Sequence, residues 1–107
     1  LMGDKHYITS VHNGDWLKVR SVDFGNRGAS GFRVTTLNIR QDGEVAVFLD
    51  NMGNKPLVTL PVTKENDTMN TFQAEVQKVV KGVHDVYFLF RGNDGELFDV
   101  DCWQFEE

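Results

Sequence analysis

Acidic side chains are concentrated in the last part of the chain, where a metal ion or a polar ligand would find most oxygen atoms. Residues 94–107 carry six aspartates and glutamates and no lysine or arginine. Asp99 and Asp101 stand two apart in an extended run, which predicts that both side chains point to one side of a strand. Adjacent carboxylates repel each other, and a calcium ion would relieve that repulsion. A solvated acidic chain end explains the same residues equally well.

Trp16 is the second residue whose neighbours suggest binding. It alternates in phase with Lys18 and Arg20, which predicts a position on the polar side of its strand. An exposed indole beside charged groups is a platform on which a sugar ring can stack. Packing of Trp16 beneath a neighbouring loop is the more common arrangement, and the residue pattern leaves both alternatives open.

Residues for catalysis do not form a known motif. The three histidines are scattered and form neither an HxH nor an HExxH pattern, so a zinc site is not expected. The sequence contains no GxSxG, Walker-type or GxGxxG motif. Cys102 is the single cysteine, which excludes an internal disulfide, and its apolar surroundings predict a packed side chain rather than a nucleophile. We therefore do not expect an enzyme.

Length and charge narrow the possible partners. The chain has 107 residues, which suffices for one domain. Its 11 basic and 16 acidic residues give a net charge of −5, which argues against nucleic acid and against an anionic membrane surface. Apolar runs are only a few residues long, whereas a membrane-spanning helix needs about 20.

Short extended runs separated by turn-forming residues predict an all-β fold. The predicted strands cover residues 15–22, 32–39, 44–50, 56–62, 83–90 and 97–105. Asp42-Gly43 lies between two of them and is typical of a hairpin turn, because both residues tolerate positive φ. Residues 83–90 are apolar on both faces, which predicts a strand in the middle of a sheet. Strands at this spacing are typical of a β-sandwich or barrel.

Residues 67–83 fit two kinds of secondary structure. Phe72, Val76 and Val80 share a helical stripe, with Asp67 as a candidate N-cap. A strand fits as well, because Phe72, Ala74 and Val76 alternate with polar residues. Periodicity slightly favours the helix, whereas the clustered valines favour the strand.

Four sequence blocks stand out along the chain, which are NGDWLKVRSVDFG (13–25), GASGF (28–32), KGVHDVYFLFRG (81–92) and LFDVDCWQF (97–105). Together they resemble a family 6 carbohydrate-binding module. They follow one another in the family's order along nearly the whole chain, and they are similar to the modules of glycoside hydrolase family 43 arabinofuranosidases and xylosidases. The resemblance implies a β-sandwich of the jelly-roll, galactose-binding-like type, and with it a strand at residues 72–79.

The resemblance also implies where a sugar would bind. Family members hold a sugar in a cleft between loops, sandwiched by two aromatic side chains and hydrogen-bonded by an amide. Tyr7 matches the first aromatic position, Phe72 stands where tryptophan is usual, and Asp99 stands where the family has asparagine. A carboxylate cannot donate hydrogen bonds as an amide does. Other members bind chains on the concave face of a sheet, where Trp16 matches an aromatic position.

A structural calcium ion is common in the family, and Asp101 corresponds to one of its ligands. The other acidic ligands belong to an N-terminal strand that we expect this chain to lack, since Leu1 begins near the family's second strand. Calcium is therefore expected with an incomplete set of ligands.

The resemblance predicts that residues 1–107 are a single non-catalytic module from a larger multidomain glycoside hydrolase. We expect it to bind a polysaccharide or oligosaccharide, preferably xylan or arabinoxylan, and so to hold the parent's catalytic domain on plant cell walls. The alternative is a degenerate accessory domain that packs on that catalytic domain without binding sugar, which the residues at Phe72 and Asp99 favour. No nucleic acid or membrane partner is expected, and the family's substrates imply an extracellular or periplasmic protein.

Overall fold

A computed structural model describes residues 2–4, 8–64 and 68–107, with the backbone alone for residues 2–4 and 77. Within these ranges the chain forms nine strands, which are β1 (Met2–Asp4), β2 (Ile8–His12), β3 (Trp16–Asp23), β4 (Ala29–Leu37), β5 (Gly43–Leu49), β6 (Val58–Val62), β7 (Met69–Val80), β8 (Val83–Gly92) and β9 (Glu96–Glu106). The same ranges contain no helix long and apolar enough to cross a membrane.

The strands form two antiparallel sheets packed face to face. The five-stranded sheet has the order β1-β9-β4-β7, and β2 pairs with the first half of β9. The four-stranded sheet has the order β3-β8-β5-β6. The all-β sandwich expected from the sequence is therefore confirmed.

Alternating apolar side chains from both sheets fill the space between them. In β8, Val86, Phe88 and Phe90 point inward and are buried, and the strand lies between β3 and β5 as predicted. Phe88 stacks on Phe32 with ring centroids 5.8 Å apart, and the ring of Phe105 lies 4.8 Å from that of Phe32. Burial of such rings supplies most of the free energy that holds the two sheets together.

Asp42-Gly43 does not form the predicted hairpin. β4 belongs to the five-stranded sheet and β5 to the four-stranded sheet, so this segment crosses from one to the other. Glycine is needed at position 43 for space, because a Cβ there would lie 2.8 Å from the carbonyl oxygen of Arg91. From β2 onward the described strands change sheet at each connection except that from β5 to β6.

The segment that fitted two patterns is a strand. In β7, Phe72, Ala74 and Val76 pack against the core, while Thr71 and Gln73 are exposed. The clustered valines therefore outweighed the helical stripe, because strand pairing with β4 accommodates branched side chains at little cost.

The sandwich has two ends. The upper end is the one at which Leu37 pairs with Asp99 and Gly43 pairs with Gly92. The lower end is the one at which Ala29 pairs with Val80. Side chains at these two ends have different chemistry.

Candidate functional site

Trp16 begins β3 on the outer face of the four-stranded sheet, towards the upper end. Its residue surface is 59% exposed, while the next residue, Leu17, packs against the core. The predicted position on the polar side of the strand is confirmed. Packing beneath a loop, the more common arrangement, is not found, because the indole remains open to solvent.

Trp16 stands at the edge of a group of apolar side chains on the outer face of the sheet. It pairs across the sheet with Leu89, which pairs with Ala46, and the next row joins Tyr87 to Phe48. We call Trp16, Ala46, Phe48, Tyr87 and Leu89 the aromatic face. The rings of Trp16 and Tyr87 lie 6.2 Å apart at an angle of 39°. Ala46 and Phe48 are buried, so Trp16 offers the most open ring of the aromatic face.

Charged side chains border the aromatic face on two sides. Lys18 Nζ lies 5.3 Å from the centre of the Tyr87 ring and 3.7 Å from a carboxylate oxygen of Asp85. Towards the upper end, Arg91 Nε lies 2.9 Å from Glu44 Oε2. These groups supply donors and acceptors around an apolar floor, the arrangement that a pyranose with polar edges and an apolar face requires.

Asp99 is enclosed, with 2% of its surface exposed. Its Oδ1 accepts hydrogen bonds from the backbone N–H of Ser10 at 2.7 Å and from Arg40 at 3.1 Å, and Oδ2 accepts one from Asn38 Nδ2 at 3.1 Å. Burial raises the pKa of Asp99, but these three donors outweigh burial and hold the pKa below its ordinary value of 3.8. A carboxylate has about four lone-pair sites, and three are in use.

The donors around Asp99 belong to strained backbone. Ser10 and Asn38 have positive φ angles of 56° and 50°, which residues other than glycine rarely adopt. Such conformations persist only where surrounding contacts fix them. Asp99 therefore ties together β2, β9 and the segment after β4, which is a structural role.

Phe72 and Asp99 point to opposite sides of the five-stranded sheet. Phe72 pairs with the core residue Val34, whereas Asp99 pairs with Leu37, three residues further along β4. The β7 residue in the row of Asp99 is Met69, which is 57% exposed. Tyr7, the third residue predicted for the loop cleft, lies outside the described residues. The loop cleft stays a prediction.

Asp101 does not share a regular strand face with Asp99. Thr36 pairs with Val100 and Thr35 with Cys102, so Asp101 is the extra residue of a bulge, and the expected alternation is broken there. Among the side chains that the structure describes, no three of His, Cys, Asp and Glu come together around a metal position. Calcium binding at Asp101 stays a prediction. Cys102 is a half-buried free thiol.

A charged pair at the lower end was not foreseen. His84 Nδ1 lies 2.9 Å from Asp50 Oδ2, and His84 Nε2 lies 2.8 Å from the carbonyl oxygen of Lys81. Both ring nitrogens face acceptors, so the imidazolium fits this position best. The hydrogen bond to Asp50 raises the pKa of His84 above its ordinary value of 6.5 and lowers the pKa of Asp50. The two residues are 34 positions apart, and no local motif joins them.

Two curated proteins are similar in sequence to this chain. An arabinoxylan arabinofuranohydrolase of Bacillus subtilis (strain 168) is 36% identical over 107 residues, covering 97% of this chain and 20% of the relative. A protein of the same name from Paenibacillus polymyxa is 35% identical over 102 residues, covering 92% of this chain and 16% of the relative. The chain thus spans a fifth or less of the length of these curated relatives.

Solved structures share the fold. The glycoside hydrolase family 43 arabinoxylan arabinofuranohydrolase from Bacillus subtilis, in complex with cellotetraose, superposes with a TM-score of 0.85 and 35% identity, over 96% of this chain and 21% of that one. A family 6 carbohydrate-binding module from Clostridium cellulolyticum, in complex with xylose, gives 0.81 and 26%, over 96% of this chain and 98% of that one.

The family model described as carbohydrate binding module (family 6) matches residues 2–107. This match covers almost all of the chain, and the likeness to the solved module agrees with the β-sandwich described above. The protein therefore belongs to family 6 of the carbohydrate-binding modules, a non-catalytic family.

Proposed function

We propose that this module binds a neutral plant polysaccharide, preferably xylan or arabinoxylan, on the aromatic face. The observation that carries the proposal is the 59% exposure of Trp16 next to the ring of Tyr87. An indole left open at the edge of an apolar floor costs solvation free energy unless a ligand covers it. The relatives named arabinoxylan arabinofuranohydrolases support the choice of polysaccharide.

Binding on this face requires no acid or base. The apolar face of a pyranose would stack on Trp16, and its hydroxyl groups would reach Lys18, Glu44 and Arg91 at the borders. Each net hydrogen bond contributes only about 1 kcal/mol, so we expect a dissociation constant on the order of micromolar to millimolar.

The aromatic face is a better candidate than the loop cleft because its side chains are still accessible to a ligand. Asp99 already accepts three hydrogen bonds and is almost fully enclosed. Phe72 is directed into the core. Trp16, by contrast, has an open ring and Lys18 beside it is only partly covered.

Weak binding is useful when it is linked to a catalytic domain. We infer that the module is part of a larger multidomain glycoside hydrolase that acts outside the cell or in the periplasm, as the relatives' names suggest. Attachment to an insoluble polysaccharide would raise the concentration of substrate near the catalytic domain without any new contact to it.

Titration calorimetry with xylohexaose and with arabinoxylan tests this proposal. We expect wild type to release heat, and Trp16→Ala to weaken binding at least about tenfold, which equals about 1.4 kcal/mol. Val83→Ala is the matched control, because Val83 is as exposed as Trp16 but lies on β8 at the lower end. Loss of binding in Tyr7→Ala but not in Trp16→Ala would move the site to the loop cleft.

A second candidate is an accessory domain that packs on its catalytic neighbour and binds no sugar. The enclosed carboxylate of Asp99, at a position where the family has an amide, favours it. Absence of binding to every neutral glycan by a chain that unfolds cooperatively would support this second candidate and contradict the first.

A further inference from the structure

A groove of about 690 Å³ opens at the lower end of the sandwich, between the loop that follows β5 and the end of β7. Lys55, Lys78 and Lys81 line it together with His84, and its apolar surface includes Val79, which is 51% exposed. Trp16 belongs to the edge strand β3, whereas this groove lies beside β6 at the other edge of the four-stranded sheet. The groove is therefore separate from the aromatic face.

The positive charges of the groove are free to meet a ligand. The side chains of Lys55, Lys78 and Lys81 form no ion pair or hydrogen bond with any residue that the structure describes. The carboxylate in the lining, Asp50, is already bound to His84. A chain of net charge −5 thus concentrates unpaired cations in one concave place.

The strand geometry fixes these cations beside the groove. Two steps along β4, from Ala29 to Gly31, correspond to five steps along β7, from Val80 to Glu75. Residues in between, including Lys78, therefore bulge out of the edge of the sheet. Gly28 supports the bulge, because a Cβ at that position would lie 2.4 Å from the carbonyl oxygen of Val80.

We propose that this groove binds the carboxylate groups of uronic-acid units in an acidic polysaccharide. The proposal rests on the proposed carbohydrate-binding function and adds a second site with a different ligand chemistry. Ammonium groups attract carboxylates without demanding one orientation, so several sugar positions along a chain could be accepted. Exposed Val79 and partly buried Pro56 provide apolar contact for the C–H surface of the ring.

An acidic sugar suits the groove better than an acidic protein segment. The site is a short concavity with cations on two walls, and Glu75 lies in the adjoining groove that shares Lys55 and Pro56 with it. Glu75 repels a carboxylate of either kind of chain, so the difference lies in the ring. A uronic-acid ring brings an apolar C–H face to Val79 and Pro56 together with a carboxylate for a lysine, whereas an acidic peptide brings carboxylates on flexible side chains without such a face.

Affinity electrophoresis at low ionic strength tests the proposal with polygalacturonate, glucuronoxylan, neutral arabinoxylan and polyglutamate. The test variant is Lys78→Glu, and the matched control is Lys64→Glu, since Lys64 follows the opposite end of β6 and is also exposed. We expect wild type to bind polygalacturonate and to bind glucuronoxylan more strongly than neutral arabinoxylan. Lys78→Glu should weaken binding of polygalacturonate by roughly fivefold or more and remove the excess for glucuronoxylan, and Lys64→Glu should change neither. Both variants should bind neutral arabinoxylan as wild type does.

Four results would overturn the proposal. Equal losses in Lys78→Glu and Lys64→Glu would show an effect of net charge alone. Retardation by polyglutamate as strong as that by polygalacturonate would indicate an acidic protein partner instead of a sugar. Binding of neutral arabinoxylan without binding of polygalacturonate would reject the groove and leave the aromatic face intact, whereas binding of none of the glycans would contradict both proposals.

Discussion

Asp99 and Trp16 were both candidates for sugar binding, and their surroundings differ in almost every respect. Asp99 is 2% exposed and accepts hydrogen bonds from three donors, whereas Trp16 is 59% exposed and borders an apolar floor. A buried charge needs hydrogen-bond partners inside the protein, and its atoms are then no longer available to a ligand. An exposed aromatic ring needs no such partners. Whether a side chain already has partners within the protein therefore distinguishes structural residues from binding residues better than residue type does.

Removal of the Asp99 carboxylate should give the largest effect on folding. Asp99→Ala leaves the N–H of Ser10 and the Asn38 amide without this acceptor and removes one of the two carboxylates beside Arg40, so we expect a loss of about 3 kcal/mol in the free energy of unfolding. Urea denaturation measures this loss. Asp101→Ala, on the same strand but in a bulge, is the control and should cost less than about 1 kcal/mol when chelator is present. Equal effects of the two changes would contradict a structural role for Asp99.

Trp16→Ala should show the reverse behaviour. The side chain is exposed, so its removal should change the free energy of unfolding by less than about 0.5 kcal/mol, although xylan binding weakens at least about tenfold. Denaturation and calorimetry on one preparation separate the two effects. A large loss of stability in Trp16→Ala would indicate that the indole is a packing residue after all.

Lys18→Ala should weaken xylan binding less than Trp16→Ala does, and so test whether the border of the aromatic face contacts the sugar. Lys18 lies over the ring of Tyr87 and pairs with Asp85 at partial exposure. In the proposed site its ammonium group donates a hydrogen bond to a sugar hydroxyl, which contributes about 0.5–1 kcal/mol net, so we expect binding to weaken about two- to fivefold. Arg20→Ala, on the same strand, serves as the comparison. A tenfold loss in Lys18→Ala would mean that the ammonium group, rather than the indole, is the main contact.

The smallest effect that we expect is a dependence of stability on pH, with opposite directions for His84 and Asp99. Because the pKa of folded His84 is raised, its contribution to stability is complete below the unfolded value of 6.5 and disappears as the pH rises through the folded value. Because the pKa of Asp99 is lowered, its contribution is present above 3.8 and disappears as the pH falls through the folded value.

Thermal unfolding of wild type and His84→Gln across this range measures the first of these contributions. We expect the difference between their melting temperatures to shrink as the pH rises from about 6 to about 9. A difference that is constant with pH would show that folding leaves the pKa of His84 unchanged, which would contradict its ion pair with Asp50.

Local sequence patterns predicted the strands well and their arrangement poorly. Alternation placed Val86, Phe88 and Phe90 on the buried side of β8, because side-chain direction follows directly from strand period. Asp42-Gly43 was misjudged, because a turn sequence does not say whether the next strand returns to the same sheet. The short strand β2 carried too few apolar residues to be identified.

The candidate sites were predictable only where they depended on neighbours in sequence. The phase of Trp16 with Lys18 was visible in the sequence, and its exposure agrees with it. The donors of Asp99 come from 89, 61 and 59 positions away, so an acidic stretch that fitted a calcium site and a solvated chain end equally well contains an enclosed carboxylate. Hydrogen bonds between residues so far apart in sequence depend on the fold, so they cannot be predicted from the spacing of residues within the acidic stretch.

Chemical-shift mapping with xylohexaose is the most direct test of the account. We predict that the sugar shifts the indole N–H signal of Trp16 and the amide signals of Tyr87 and Leu89, all on the aromatic face. Signals of Ser10 and Asp99 at the enclosed carboxylate should remain in place. Shifts centred on Ser10 and Asp99, with Trp16 unchanged, would place the sugar in the loop cleft and contradict the aromatic face as the binding site.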